Sequence, residues 1–117
     1  MMETIDLFNL REGLEKQLET SVKSLRKTGN AYAQKEMEYK IHLRQEVLKL
    51  RDEGTAVTLI PLLCYGIPSV AEKRFLRDSA LAVYEANKEA INSIKLRIRL
   101  VQSDIERVYQ NTGVGNL

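Results

Sequence analysis

Histidine and cysteine occur once each, as His42 and Cys64, tryptophan is absent, and the 117 residues include only two prolines and two phenylalanines. Each shortage excludes something. One cysteine cannot build an internal disulfide framework, and it fits a reducing compartment. One histidine leaves no second imidazole for a metal cluster or for a paired nucleophile. Charge of one sign is missing too: 18 basic and 16 acidic residues leave +2, too balanced to imply DNA binding and too basic for an acidic mimic of nucleic acid. The longest hydrophobic passage, around Val57 to Tyr65, falls far short of the ~20 residues needed to span a bilayer. Met1 to Asp6 lack the basic start and apolar run of a signal peptide, so a cytoplasmic protein is expected.

What is present is helical periodicity. With 44% hydrophobic and 29% charged residues, the composition is that of a folded helical protein rather than a disordered one. From Tyr84 to Val108 apolar residues recur at steps of three and four. Tyr84, Ile91, Ile98 and Ile105 share one heptad position, and Asn87, Ile94, Val101 and Val108 share the other. Such a seam must be buried against another helix. β-Branched residues at both positions lean toward more than two strands, so we read the eight residues as a self-association seam. Asn87 is an amide that either sets register or marks the seam's edge.

Leu7, Leu10, Leu14, Leu18, Val22 and Leu25 define a first amphipathic stripe, continued by Tyr32, Tyr39, Leu43, Val47 and Leu50. Thr28-Gly29-Asn30 interrupts it. A glycine inside a helix costs roughly 1 kcal/mol against alanine, which leaves one long helix or a break at this point. The pairs Glu12/Lys16, Glu19/Lys23 and Glu36/Lys40 all have the favourable i,i+4 order and lie on both sides of Gly29, which favours one helix over residues 4–53. The connector, 54–68, is uncharged, and no charged residue occurs from Gly54 to Ala71. Thr58 is expected to cap a short helix there, with Pro61 in its first turn and Gly66 as its end. Ser69-Val70-Ala71-Glu72 has the spacing of a capping box and predicts a second long helix over 69–110. Residues 112–117 form an expected flexible tail, outside one helical domain over 1–111.

The expected fold is therefore all-α. Two helices of roughly 60–75 Å, at ~1.5 Å per residue, form an antiparallel hairpin with a short helical connector and pack as a dimeric bundle. Folding back places residues whose numbers sum to about 122 opposite one another, with Leu25 near Arg97 and Gly29 near Ser93. That register brings Lys23, Arg26 and Lys27 level with Lys95, Arg97 and Arg99, a basic belt that phosphates or an acidic protein surface would contact. A helix-turn-helix over Glu53 to Arg77 fits badly, since Leu62 and Glu72 fall where a small and a buried residue belong.

No residue pattern supports catalysis. Glu85 and Glu89 share a helix face as solvated acids, Cys64 sits toward the end of its short helix rather than at an activating N-terminus, and His42 stands on a charged helix. No metal ligand set, cofactor or small-molecule substrate is expected. The uncharged connector offers a different kind of site: Leu59, Ile60, Leu62, Leu63, Tyr65 and Ile67 as an exposed tip for a partner protein.

Glu46 to Gly54, Val57-Thr58-Leu59-Ile60, Gly66, Val70-Ala71 and Ala90-Ile91-Asn92 to Leu100 together resemble small helical proteins encoded by tailed phages and prophages of Gram-positive bacteria. The resemblance covers roughly Glu36 to Arg107 and carries no catalytic residues. It implies a phage-encoded accessory acting in the host cytoplasm, binding and inhibiting a host or phage protein such as a defence or housekeeping factor. A nucleic-acid-binding accessory of phage replication or recombination, using the basic belt, is the alternative.

Overall fold

The computed structural model describes residues 3–111, and the tail expected over 112–117 lies outside them. The described residues form three helices and no strand: α1 (Thr4–Asp52), α2 (Ile60–Tyr65) and α3 (Pro68–Asn111). Helix α1 runs through Gly29 without a break. The three expected i,i+4 pairs along it close at 3.5, 3.1 and 3.6 Å. Such exposed pairs each contribute only ~0.3–0.5 kcal/mol, so they support the helix locally and leave its placement to apolar burial.

Helix α1 ends for a definable reason. Gly54 has φ +83°, a left-handed conformation that an L side chain resists. Its N–H donates to the Arg51 carbonyl at 3.0 Å and the Thr55 N–H donates to the Leu50 carbonyl at 3.1 Å. These are the two bonds of a Schellman termination, which satisfies carbonyls left open at a helix C-terminus.

The other two termini depart from expectation. Helix α2 is preceded by Leu59 rather than Thr58 and has no side-chain cap. Its first turn carries Pro61, whose missing N–H would have no helical partner there. Gly66 closes it in a right-handed conformation (φ −86°), so no left-handed turn is needed. Helix α3 begins at Pro68, one residue before the predicted start. Ser69 is therefore inside the helix, and its hydroxyl meets His42 Nε2 at 2.8 Å instead of forming a reciprocal pair with Glu72. A proline at the first helical position replaces the capping box.

Contacts divide the chain into two units, one taking residues up to Leu25 and from Ala86 onward, the other Arg26–Glu85. In the first unit Leu7, Leu14, Ile94, Val101 and Ile105 are buried together, flanked by Phe8, Leu18, Ile98 and Val108. Each fully buried aliphatic there contributes roughly 1.5–3 kcal/mol relative to exposure. Leu10 and Val22, expected in the same stripe, are exposed. Phe8 meets Tyr109 edge-on, Arg11 donates to Gln102 Oε1 at 2.6 Å, and Asn87 Nδ2 donates to the Ser21 carbonyl at 3.0 Å. Residue numbers fall on one helix as they rise on the other, so the two segments of this unit are antiparallel.

In the second unit Tyr39, Cys64 and Val70 are buried, with Leu43, Val47, Leu50 and Ile67 packed against them. Gly29 faces Tyr84 here: a Cβ on Gly29 would stand 3.2 Å from Tyr84 Cε1. The register is thus displaced from the expected one, which had set Gly29 beside Ser93. In this register the Tyr84 ring lies against a residue without a side chain and stacks on Tyr32 at 6.2 Å.

Candidate functional site

Helix α2 is set by backbone bonds on both sides. The Leu59 N–H donates to the Ala56 carbonyl at 2.9 Å, and the Ile67 N–H donates to the Cys64 carbonyl at 3.2 Å. One face of α2 is anchored: Ile60 is 5% exposed and Cys64 1%. Leu59, Leu62, Leu63 and Tyr65 are exposed, Leu62 to 74%. Of the six residues expected at the tip, these four remain on the surface. Ile60 is buried, being four residues from Cys64 and on the same helix face, and Ile67 is half-buried against the second core.

Beside the anchored face lies a cavity of about 460 Å³ lined by Leu43, Val47, Arg51, Val57, Ile60, Pro61, Cys64 and Tyr65. Arg51 is its one charged group. The Cys64 thiol contacts the Leu43 carbonyl at 3.9 Å. Burial, and secondarily the Glu46 carboxylate, pushes the thiol pKa up, which keeps it protonated and a poor nucleophile.

A polar cluster stands farther along the same unit. The Tyr32 hydroxyl donates to Glu36 Oε2 at 2.6 Å, and Glu36 Oε1 also faces Lys40 at 3.6 Å and Arg77 at 3.9 Å. Arg77 lies over the Tyr39 ring at 4.4 Å and pairs with Asp78 at 2.9 Å. The Tyr32 hydrogen bond, aided by Lys40 and Arg77, holds the Glu36 pKa below the usual carboxylate range, and the same bond raises that of Tyr32. With every charge partnered, the cluster ties α1 to α3 and leaves no group free for proton transfer. Tyr32 and Glu36 are visible in sequence as an i,i+4 pair, but nothing there announces Arg77.

His42, expected as a surface or boundary residue on a charged helix, is half-buried, and its Nε2 lies 2.8 Å from Ser69 Oγ and 3.9 Å from Glu46 Oε1. Both contacts fall on one nitrogen. The Ser69 contact ties α1 to α3.

The eight seam residues are placed differently from expectation. Ile91, Ile94, Val101 and Ile105 are buried, while Tyr84, Asn87, Ile98 and Val108 are partly buried. Ile94, Ile98, Val101, Ile105 and Val108 are covered by α1 of the same chain, through Leu7, Phe8, Leu14 and Leu18. Tyr84 stacks on Tyr32 and Asn87 bonds to Ser21. Within the chain, α1 thus covers much of the seam. Apolar residues off the seam are what α3 leaves exposed, among them Leu96 and Leu100.

The basic belt does not form in the first unit. Ile94 lies in a hollow with Lys16, Gln17, Thr20 and Ser21, so Lys95 is level with that turn of α1. The antiparallel order carries Arg97 and Arg99 toward Arg11, away from Lys23. Lys23 is itself paired with Glu19 at 3.1 Å. Arg26 and Lys27 belong to the other unit. The belt depended on the expected register, and within the first unit Lys23 does not come level with Arg97 and Arg99.

Among the described residues no group of three or more His, Cys, Asp or Glu side chains is placed to hold a metal ion. No helix among them is long and apolar enough to cross a membrane. No family model, curated protein or solved structure matches the chain, so its own geometry carries the functional reading.

Proposed function

We propose that this chain is a non-enzymatic interaction protein that binds and modulates a partner protein through the exposed face of α2. The observation that carries this reading is Leu59, Leu62, Leu63 and Tyr65 standing exposed on a stretch that has no charge from Gly54 to Ala71. Scattered surface leucines need no explanation, but four large apolar side chains within seven consecutive residues, unbroken by charge, form a patch that a partner would desolvate. Two polar clusters in the same unit are internally satisfied, which leaves the apolar patch as the feature with unspent binding energy. The resemblance to phage accessory proteins suggests a host or phage protein as the partner, in a bacterial cytoplasm. The antiparallel order inside each unit is what a helical hairpin requires, and Leu96 and Leu100 on α3 supply apolar surface for a dimer.

Leu62→Asp tests the reading. Being largely exposed, the site tolerates the carboxylate without loss of helical signal or melting temperature. Affinity capture with the wild-type chain is expected to retain a specific protein at high salt, and L62D to release it. Capture of nucleic acid instead, weakened by salt and by charge reversal at Lys95, Arg97 and Arg99, would transfer the function to the basic residues.

A further inference from the structure

Two faces of α2 differ in what they meet. Leu59, Leu62 and Leu63 lie on the surface, whereas Ile60, Pro61, Cys64 and Tyr65 form one wall of the 460 Å³ cavity, and Leu43, Val47 and Arg51 of α1 form the other. Val57 stands at its edge, 77% exposed. The volume lies within the ~300–1,000 Å³ common for small-molecule sites, and mostly apolar walls with a single orienting polar group are the usual chemistry of such sites.

Arg51 is that group, standing exposed on the last turn of α1 at the cavity wall. Arg51 has no acidic partner among the described residues, although Asp52 and Glu53 follow it directly in sequence. Helix geometry turns successive residues about 100° apart, so those acids leave the cavity side to the guanidinium. An unpaired guanidinium at the wall of an apolar cavity favours a planar anion attached to an apolar body.

We propose that this cavity is a binding site for a hydrophobic carboxylate, a medium-chain fatty acid of about eight to twelve carbons, with its carboxylate on Arg51 and its chain among Leu43, Val47, Ile60 and Cys64. The site shares Tyr65 with the exposed face of α2, but Arg51 and Val57 lie outside that face, so changes at those two positions test it independently of a protein partner there.

Titration calorimetry of the full chain with octanoate, decanoate and dodecanoate, below their micellar concentrations, tests it. Saturable one-to-one binding is expected, tightening about fourfold per added methylene until the cavity is full. Arg51→Gln is expected to weaken decanoate at least tenfold and to leave decanol unchanged. Val57→Trp, at an exposed position on the rim, is expected to block both ligands while the melting temperature stays near wild type. Non-saturating uptake, equal decanoate affinity in R51Q, or undiminished binding in V57W would each overturn the proposal.

Discussion

The two units of this chain are built from the same two long helices but held by different chemistry. The unit around Leu7, Leu14, Val101 and Ile105 is an aliphatic seam with polar ties from Arg11 to Gln102 and from Asn87 to Ser21. The unit spanning Arg26–Glu85 buries Tyr39, Cys64 and Val70 and adds stacked tyrosines, the Glu36–Arg77 pair, the His42–Ser69 contact and a cavity. Aliphatic burial is non-directional and fills space efficiently. Aromatic and charged groups must also meet geometric demands, and satisfying them can leave gaps between side chains. The unit with these directional contacts holds the 460 Å³ cavity and the apolar patch.

Deleting aliphatic volume should break the contrast most strongly. Leu14→Ala is expected to cost about 3 kcal/mol, within the usual 2–5 for a buried leucine, as read by urea denaturation. Hydrogen exchange should then show protection lost first around Leu7 to Leu18 and Ile94 to Ile105. Protection that fell first around Tyr39 and Val70 would mean that the aromatic unit is the weaker of the two.

A smaller change is expected from the polar tie. Asn87→Ala removes the bond to the Ser21 carbonyl and should cost about 1 kcal/mol. Asn87→Asp keeps the shape but puts an acceptor against an acceptor, and should be worse than alanine.

The Tyr32–Glu36 bond gives the second unit a pH signature. A lowered Glu36 pKa contributes stability that is present above the ordinary carboxylate range and lost as pH falls through the folded value. A raised Tyr32 pKa contributes stability that is present below the ordinary tyrosine value and lost as pH rises through the folded one. The stability difference between wild type and Tyr32→Phe should therefore be widest near neutral pH and shrink toward both acid and alkali. A difference independent of pH would detach the hydrogen bond from both shifts.

Gly29→Ala is expected to change stability least, by under about 1 kcal/mol. Alanine gains roughly that much in helix propensity, while its methyl group presses the Tyr84 ring at 3.2 Å. A quenched Tyr32–Tyr84 stack with unchanged stability would show the two effects cancelling. Gly29→Leu has no such compensation and should displace Tyr84.

Much of the helix content was legible because it is local. Heptad spacing marked Ile94, Val101 and Ile105, and the i,i+4 acid–base pairs carried α1 across Gly29. Chain ends of helices were legible only where a backbone conformation demanded a particular residue, as at Gly54. The capping box at Ser69 misled, because the same hydroxyl was claimed by His42, 27 residues away. At the candidate site, the absence of charge singled out the connector. It did not say which side of a six-residue helix turns inward, so Ile60 and Ile67 were counted with the exposed residues.

The amino-acid sequence by itself determined that this chain is helical, where its uncharged connector lies, and which α3 residues must leave water. Those follow from periodicity and propensity, which act within a few residues. Tertiary structure alone decided what α1 covers of the α3 seam, the register that sets Gly29 on Tyr84 and the cavity beside Arg51. Register is a comparison of whole packings differing by one or two turns, and periodicity within each helix does not choose between them.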